Sequence, residues 1–343
     1  MTYGLTKDGR ETKLYELTNK NGAKVVISDL GGIITNLWVP DKEGVQRDVV
    51  LACANASDYE DSSAFMGALI GRFANRIAKG QFSLNGTDYQ LAINNGVNHL
   101  HGGEVGFDKY IWQAKQEGDK LTLTMESPDM DEQYPGNIKV EVIYTFDDEN
   151  CLTIDYSATS DKDTICNLTN HVYFNLEGHD SGDIKEHMLR LNASNFTPTD
   201  DGSIPTGEIA SVEATPFDFR QTKAIGQDIA TKCQQIEWAN GFDHNFVLDK
   251  EGQELSVAAE VYSPISGITM TCETTQPGVQ FYTGNFIGAD TKGKDDATYQ
   301  KRSGFCLETQ NFPDAINHEN FPTAVLKAGE IYKESTKYRF GIV

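Results

Sequence analysis

The run Asn167-Leu168-Thr169-Asn170-His171-Val172-Tyr173-Phe174-Asn175-Leu176 constrains this chain more than any other stretch. At the two-residue period of a strand it sorts His171, Tyr173 and Asn175 onto one face and Val172, Phe174 and Leu176 onto the other. A face so fully apolar belongs against a core. The opposite face then offers an imidazole, a phenol and a carboxamide in a row. Such groups donate and accept as the hydroxyls of a polyhydroxylated ligand do. A lone histidine on a strand is more often structural, so the pattern gains weight from its recurrence elsewhere.

In Gly304-Phe305-Cys306-Leu307-Glu308-Thr309-Gln310, the residues Cys306, Glu308 and Gln310 share one face while Phe305 and Leu307 share the other. A carboxylate in so apolar a strand is costly unless it is solvated, paired or used. Cys306 beside it reads as a small hydrophobic filler. In Val97-Asn98-His99-Leu100-His101-Gly102-Gly103 two imidazoles flank a leucine, and the glycines let backbone turn or approach a ligand closely. Gly71-Arg72-Phe73-Ala74-Asn75-Arg76-Ile77 sets two guanidiniums in an apolar stretch, of which Arg72 reads as a brace for the cleft. Gly241-Phe242-Asp243-His244-Asn245-Phe246 frames an acid and an imidazole with aromatics. His179, His187 and His318 lie in polar, turn-like stretches and read as solvent-facing.

Strand patterns dominate the rest. Lys24–Ser28, Leu121–Met125 and Ile138–Tyr144 are rich in β-branched residues. Asn85-Gly86 between Phe82–Leu84 and Tyr89–Leu91 predicts a hairpin, and Asp148–Asn150 predicts another. Gln221–Ile229 is the best helical candidate. Many antiparallel strands over 343 residues, with no linker, low-complexity tract or internal repeat, predict an all-β chain folded as a large antiparallel β-sandwich with few short helices. Residues 1–343 are read as one domain. A net charge of −22 argues against nucleic-acid and anionic-membrane partners. No apolar run reaches the roughly 20 residues of a membrane span. The N-terminus lacks the features of a secretory signal, which predicts a cytoplasmic protein. Its six scattered cysteines are then expected as free thiols.

Together these segments resemble the aldose 1-epimerase (galactose mutarotase) family. The run at 167–176 meets that family's signature at every position. Its Gly-Arg-x-Ala-Asn-Arg-Ile run stands at 71–77, its Leu-His-Gly-Gly at 100–103 and its Phe-Asp-Phe-Arg at 217–220. Its Gly-x-Asp-His-x-Phe stands at 241–246, its Gln-Phe-Tyr-x-Gly-Asn-Phe at 280–286 and its acid-bearing strand at 304–310. The landmarks keep family order over essentially the whole chain.

The resemblance implies a mutarotase-type super-sandwich with its site in a cleft on one sheet. It implies interconversion of the α and β anomers of free hexoses such as D-galactose and D-glucose, without cofactor or metal, by a monomer or homodimer. It makes Glu308 the base and His171 the acid, and assigns Asn75, Arg76, His101, Asp243 and Gln280 to the sugar. Anomer exchange by ring opening needs two groups in opposite protonation states within proton-transfer reach. Near neutral pH the carboxylate is expected as the anion, with the acidic field holding the proton on the imidazole. Phe281 or Tyr282 could cover an apolar sugar face. His101 could also assist the acid step. Other chemistries remain open to the residues alone. His99-x-His101 has the spacing of a two-histidine metal arm, with His171, His244 and Glu308 as further ligands. Glu308 and Asp243 could form a glycosidase pair. A hexose-6-phosphate epimerase would need a cationic phosphate pocket, and a non-catalytic sugar-binding protein would need neither acid nor base.

Overall fold

Short turns between antiparallel neighbours account for most of the architecture. In the computed structural model, which describes residues 1–288 and 291–343, Asn85 and Gly86 both take left-handed φ (52° and 76°) and close the Gln81–Leu84/Thr87–Gln90 hairpin. The turn at 147–150 likewise joins Ile138–Phe146 to Cys151–Ser160. Alternation along Ile138–Phe146 buries Ile138, Val140, Val142, Tyr144 and Phe146 and exposes Lys139 and Glu141. That strand therefore has one face for the core and one for water.

It belongs to a nine-stranded antiparallel sheet. The spatial order is Gln113–Glu117, Lys120–Ser127, Ile138–Phe146, Cys151–Ser160, Ile331–Ile342, Ile268–Thr274, Ser256–Tyr262, Met188–Leu191 and Lys223–Ala224. A five-stranded sheet covers it, in the order Ala210–Ser211, Asn195–Phe196, Asp243–Val247, Gly278–Tyr282 and Cys306–Gln310. Contacts between the two layers are specific. The Tyr338 hydroxyl donates to the Leu307 carbonyl at 2.9 Å, and the Thr309 and Thr336 hydroxyls meet. Phe174, Phe305, Leu307, Tyr338 and Phe340 are buried in the apolar layer between them. A second five-stranded antiparallel sheet, Thr2–Leu5 through Gln46–Asp48, forms the N-terminal part. The fold is the expected all-β sandwich. The two α-helices among the described residues, Ala56–Asp61 and Gln234–Ala239, have six residues each. No described helix is long and apolar enough to cross a membrane.

Three local expectations fail. Residues 167–176 are not one strand with a core face and a free face. As strand, Thr169–Asn170 and Tyr173–Phe174 pair with Leu69–Ile70 and Val50–Leu51, Asn167 and Phe174 add single bridges to Phe73 and Phe305, and the whole run is buried. Its asparagines satisfy neighbouring backbone. Asn170 donates to the Gly67 carbonyl, and Asn175 to those of Gly182 and Ser303. Gln221–Ile229 is not helical. Lys223–Ala224 pairs at the edge of the large sheet and turns follow. His187 and His179 are buried, the first accepting from the Leu176 N–H and the second hydrogen-bonded to Tyr299. His318 is half-buried. The six cysteines are free thiols, as expected.

Arg72 is the brace predicted for it. It is 1 % exposed, and one guanidinium nitrogen donates to the carbonyls of Pro135 (2.8 Å) and Gly136 (3.0 Å) while the other donates to the Ser127 hydroxyl (2.6 Å). Removing it orphans buried acceptors. Arg72→Met is expected to lower the free energy of unfolding by about 3 kcal/mol, read by urea denaturation. A loss under roughly 1 kcal/mol would show that the guanidinium does not hold this corner.

Candidate active site

On the strand Cys306–Gln310, the residues Leu307 and Thr309 point into the core, so Cys306, Glu308 and Gln310 point the other way. Register extends that polar face sideways. Gln280 lies opposite Glu308 and Asn245 opposite Gln280, while Tyr282 lies between Cys306 and Asp243. Above this floor opens a cavity of about 880 Å³, lined in part by Asn75, Arg76, His101, His171, Asp243, Tyr282 and Glu308.

The histidines come from loops. His171 Nε2 lies 3.7 Å from Glu308 Oε1, and its Nδ1 lies 3.5 Å from Cys306 Sγ. Rings of Phe65, His101, Tyr173 and Tyr282 surround it with centroids 5.0–6.0 Å away. His101 sits in the left-handed region at φ 51°, and its Nδ1 accepts the backbone N–H of Asn75 at 3.1 Å. Gly102 follows because nothing larger fits. A Cβ there would lie 1.9 Å from the Gly71 carbonyl oxygen. Asn75, also left-handed at φ 63°, folds its side chain onto the Arg76 N–H. Arg76 donates from Nε to Asn95 Oδ1 at 3.1 Å.

The structure thus gathers six of the seven predicted residues into the cavity wall. Gln280 is the exception, since it lies in the floor and donates from Nε2 to Asp243 Oδ1 at 2.7 Å. Tyr282 lines the cavity, whereas Phe281 is buried in the core. His99 does not join His101. It turns away to bond the Tyr134 hydroxyl (2.6 Å) and the Ala92 carbonyl (2.7 Å), because the chain leaves extended geometry at His101. His244 points into the core, against Phe217. Phe65, which packs on both site imidazoles, was missed. It lies in an irregular loop with no periodicity to mark it.

Burial governs the electrostatics. It pushes His171 down to about 4 and His101 well below the usual imidazole range, the latter aided by the charges of His171 and Arg76. It pushes Glu308 well above the usual carboxylate range, and Asp243's charge adds to that while Arg76 opposes it. Asp243 is raised by burial too, against Arg76 and Gln280. The expectation that an acidic field keeps His171 protonated is therefore not met, because burial dominates and pushes the imidazole down. Burial thus works against the charged form of both groups.

His101, His171 and Glu308 each offer a donor atom within 4.8 Å of the others, the spacing of a small metal site. The tautomer of His101 works against that use. Its Nδ1 accepts an N–H, so its proton sits on Nε2, the nitrogen a metal would need bare.

Comparison with known proteins brings a name to this arrangement. A family model described as aldose 1-epimerase matches residues 13–339. A galactose mutarotase of Bos taurus is 46% identical over 319 residues, 93% of this chain and 91% of the relative. An aldose 1-epimerase of Escherichia coli K12 is 39% identical over 342 residues, 99% of this chain and 98% of the relative. The crystal structure of a GalM/aldose epimerase homologue from C. elegans superposes with a TM-score of 0.89 at 31% identity, covering 97% of this chain and 99% of that one.

Two outcomes are expected. The ¹⁵N ring signals of His171 should stay those of a neutral imidazole from pH 8 to pH 5, with protonation only near the folded-state value of about 4. Titration in the range of an ordinary histidine would contradict the desolvation argument. Zinc titrated by calorimetry should show no site that His101→Gln removes, and a site lost in that variant would reinstate the metal reading.

Proposed function

The chain belongs to the aldose 1-epimerase family, and on that premise we propose that Glu308 and His171 carry the proton transfers by which it interconverts the anomers of free hexoses such as D-galactose and D-glucose. The observation that carries this reading is a carboxylate and an imidazole facing each other at 3.7 Å in a cavity wall of such a chain. In ring opening Glu308 takes the proton of the C1 hydroxyl and the His171 Nε2–H goes to the ring oxygen. The C1–ring-oxygen bond breaks as the C1 carbonyl forms. Rotation about C1–C2 presents the other carbonyl face, and the two transfers run backwards to close the ring.

Proton counting suits the desolvated site. A charged pair of carboxylate and imidazolium becomes, after ring opening, a neutral carboxyl and imidazole. That is the pairing burial favours. The resting pair already holds the one proton required, and moving it between Oε1 and Nε2 charges the site. The two groups therefore titrate as a pair, and the macroscopic values belong to both.

The remaining contacts hold the sugar. Arg76, Asn75 and His101 offer donors, Asp243 accepts, and Gln280 keeps Asp243 oriented from below. Orientation of this kind makes proton transfer productive. Tyr282 offers the ring for an apolar sugar face. A neutral hexose suits the wall better than a phosphorylated one. Seven carboxylate residues line it (Glu60, Asp61, Glu104, Asp108, Asp201, Asp243, Glu308), against two permanent cations, Arg76 and Lys109.

The same reading takes residues 1–343 as one domain, supported by a family match from 13 to 339 and by a site drawn from residues 75 to 308. It makes the protein a cytoplasmic monomer or homodimer, and the net charge of −22 supports the reading that it has no nucleic-acid or anionic-membrane partner.

Polarimetry of freshly dissolved α-D-galactose tests the reading. The protein should accelerate mutarotation, and Glu308→Gln should lower kcat by about 10³-fold with binding largely kept, since one positioned transfer is worth roughly 10²–10⁴. His171→Asn should fall comparably. Near wild-type rates in either variant would remove that residue from the pair, and acceleration confined to hexose 6-phosphates would reassign the substrate.

A further inference from the structure

Proton transfer by His171 depends on which way its ring faces and on what its second nitrogen can do. Nε2 faces Glu308, and the hydrogen-bond partner at Nδ1 is the thiol of Cys306, at 3.5 Å. We propose that Cys306 is the positioning residue of His171, a weakly accepting partner that keeps the ring in place through both of its protonation states. This rests on His171 being a proton carrier.

The strand supplies the geometry. Cys306 and Glu308 are two residues apart on one buried face, so a single rigid element carries both the proposed base and the partner of the proposed acid. Cys306 is 0 % exposed and its neighbour Leu307 is tied to Tyr338, which leaves the sulfur little freedom to drift. Burial also pushes the thiol well above its usual range, so at neutral pH it remains S–H.

A thiol is a weak donor and a weak acceptor. The transfers run at Nε2, so the neutral ring keeps its remaining proton on Nδ1, and Nδ1–H donates to sulfur in the neutral ring and in the cation alike. A carboxylate in that place would favour the cation strongly, as the partner of a catalytic-triad histidine does. A thiol holds the ring without that pull, and His171 can give its proton up again. His101 shows the contrast. Its Nδ1 faces a backbone N–H, a donor in every state, so that ring is fixed as a neutral Nε2–H donor. Two similar imidazoles thus receive different duties from the atom behind each.

The groups facing His171 are Glu308 and Cys306 from the strand, His101 and Phe65 from loops, and Tyr173 and Tyr282 at its edges. Asp243 and Arg76 act through Glu308.

The test compares Cys306→Ala and Cys306→Ser with wild type by polarimetric kcat and KM for galactose and by ¹⁵N shifts of the His171 ring. Thermal unfolding checks that each variant folds. Alanine should lower kcat about tenfold with KM within about twofold, and should change the Nδ1 signal as its partner is lost. Serine, which both donates and accepts, should restore kcat to within about threefold and keep a hydrogen-bonded Nδ1 signal. Equal losses in alanine and serine with an unchanged ring signal would overturn the proposal and leave Cys306 a packing residue. So would an alanine variant with wild-type kcat and ring signal. A changed ring signal with an unchanged rate would support the hold of Cys306 on the ring and overturn instead the reading of His171 as proton carrier.

Discussion

The site depends on one strand being packed on both of its faces. Leu307 and Thr309 lock Cys306–Gln310 onto the nine-stranded sheet through Tyr338 and Thr336. The same alternation obliges Cys306, Glu308 and Gln310 to face the cavity side. Strand pairing with Gly278–Tyr282 then fixes each of them along the sheet. A carboxylate mounted this way cannot swing out to find water. Its position and its unusual chemistry have one cause.

That cause is desolvation, and it acts on every ionisable group nearby. Glu308 and Asp243 are raised, while His171 and His101 are lowered. Two proton-exchanging groups in water would rest as an ion pair, and reaction would have to work against their mutual attraction. Here burial works against the ion pair and toward the neutral pair. Arg76 sets how far this goes, because its charge draws Glu308 back toward ionisation. Too little burial would trap the pair charged, and too much would trap it neutral. The balance suits the proposed reaction, which would run through the same two transfers in both directions.

Period-two reading recovered what depends on a strand having two different faces. Glu308 among Leu307, Phe305 and Cys306 was legible for that reason, and so were the alternating strand Ile138–Tyr144 and the Asn85-Gly86 hairpin. It failed where both sides of a segment are buried. Residues 167–176 alternate well, yet Asn175 serves only backbone groups, while His171 and Tyr173 do face the cavity. It failed again where the chain leaves extended geometry. His99 and His101 would share a face in a strand, and the left-handed turn at His101 separates them. Gln280 was expected against the sugar from the resemblance alone, and its actual bond to Asp243 depends on pairing between strands that no local pattern encodes.

The loops complete what the strand begins. Phe65, Asn75 and His101 all have positive φ, although none is glycine, and all three line the cavity. Each such conformation costs on the order of 1 kcal/mol and persists only where surroundings over-determine it. Here they do. The Asn75 N–H is bound to His101 Nδ1, the His101 N–H to the Asn75 carbonyl, and Phe65 packs edge-on against His101. The reciprocal bonds close the two loops on each other, and the close approach of Gly102 to Gly71 leaves no room for them to part. A strand could not supply these groups, since its side chains rise from a single floor. Imidazoles that reach the cavity from the side need backbone that turns sharply above the sheet, and strained residues provide the turn. Rigidity below and strain above therefore belong to one arrangement, with the carboxylate held by pairing and the imidazoles by mutual constraint.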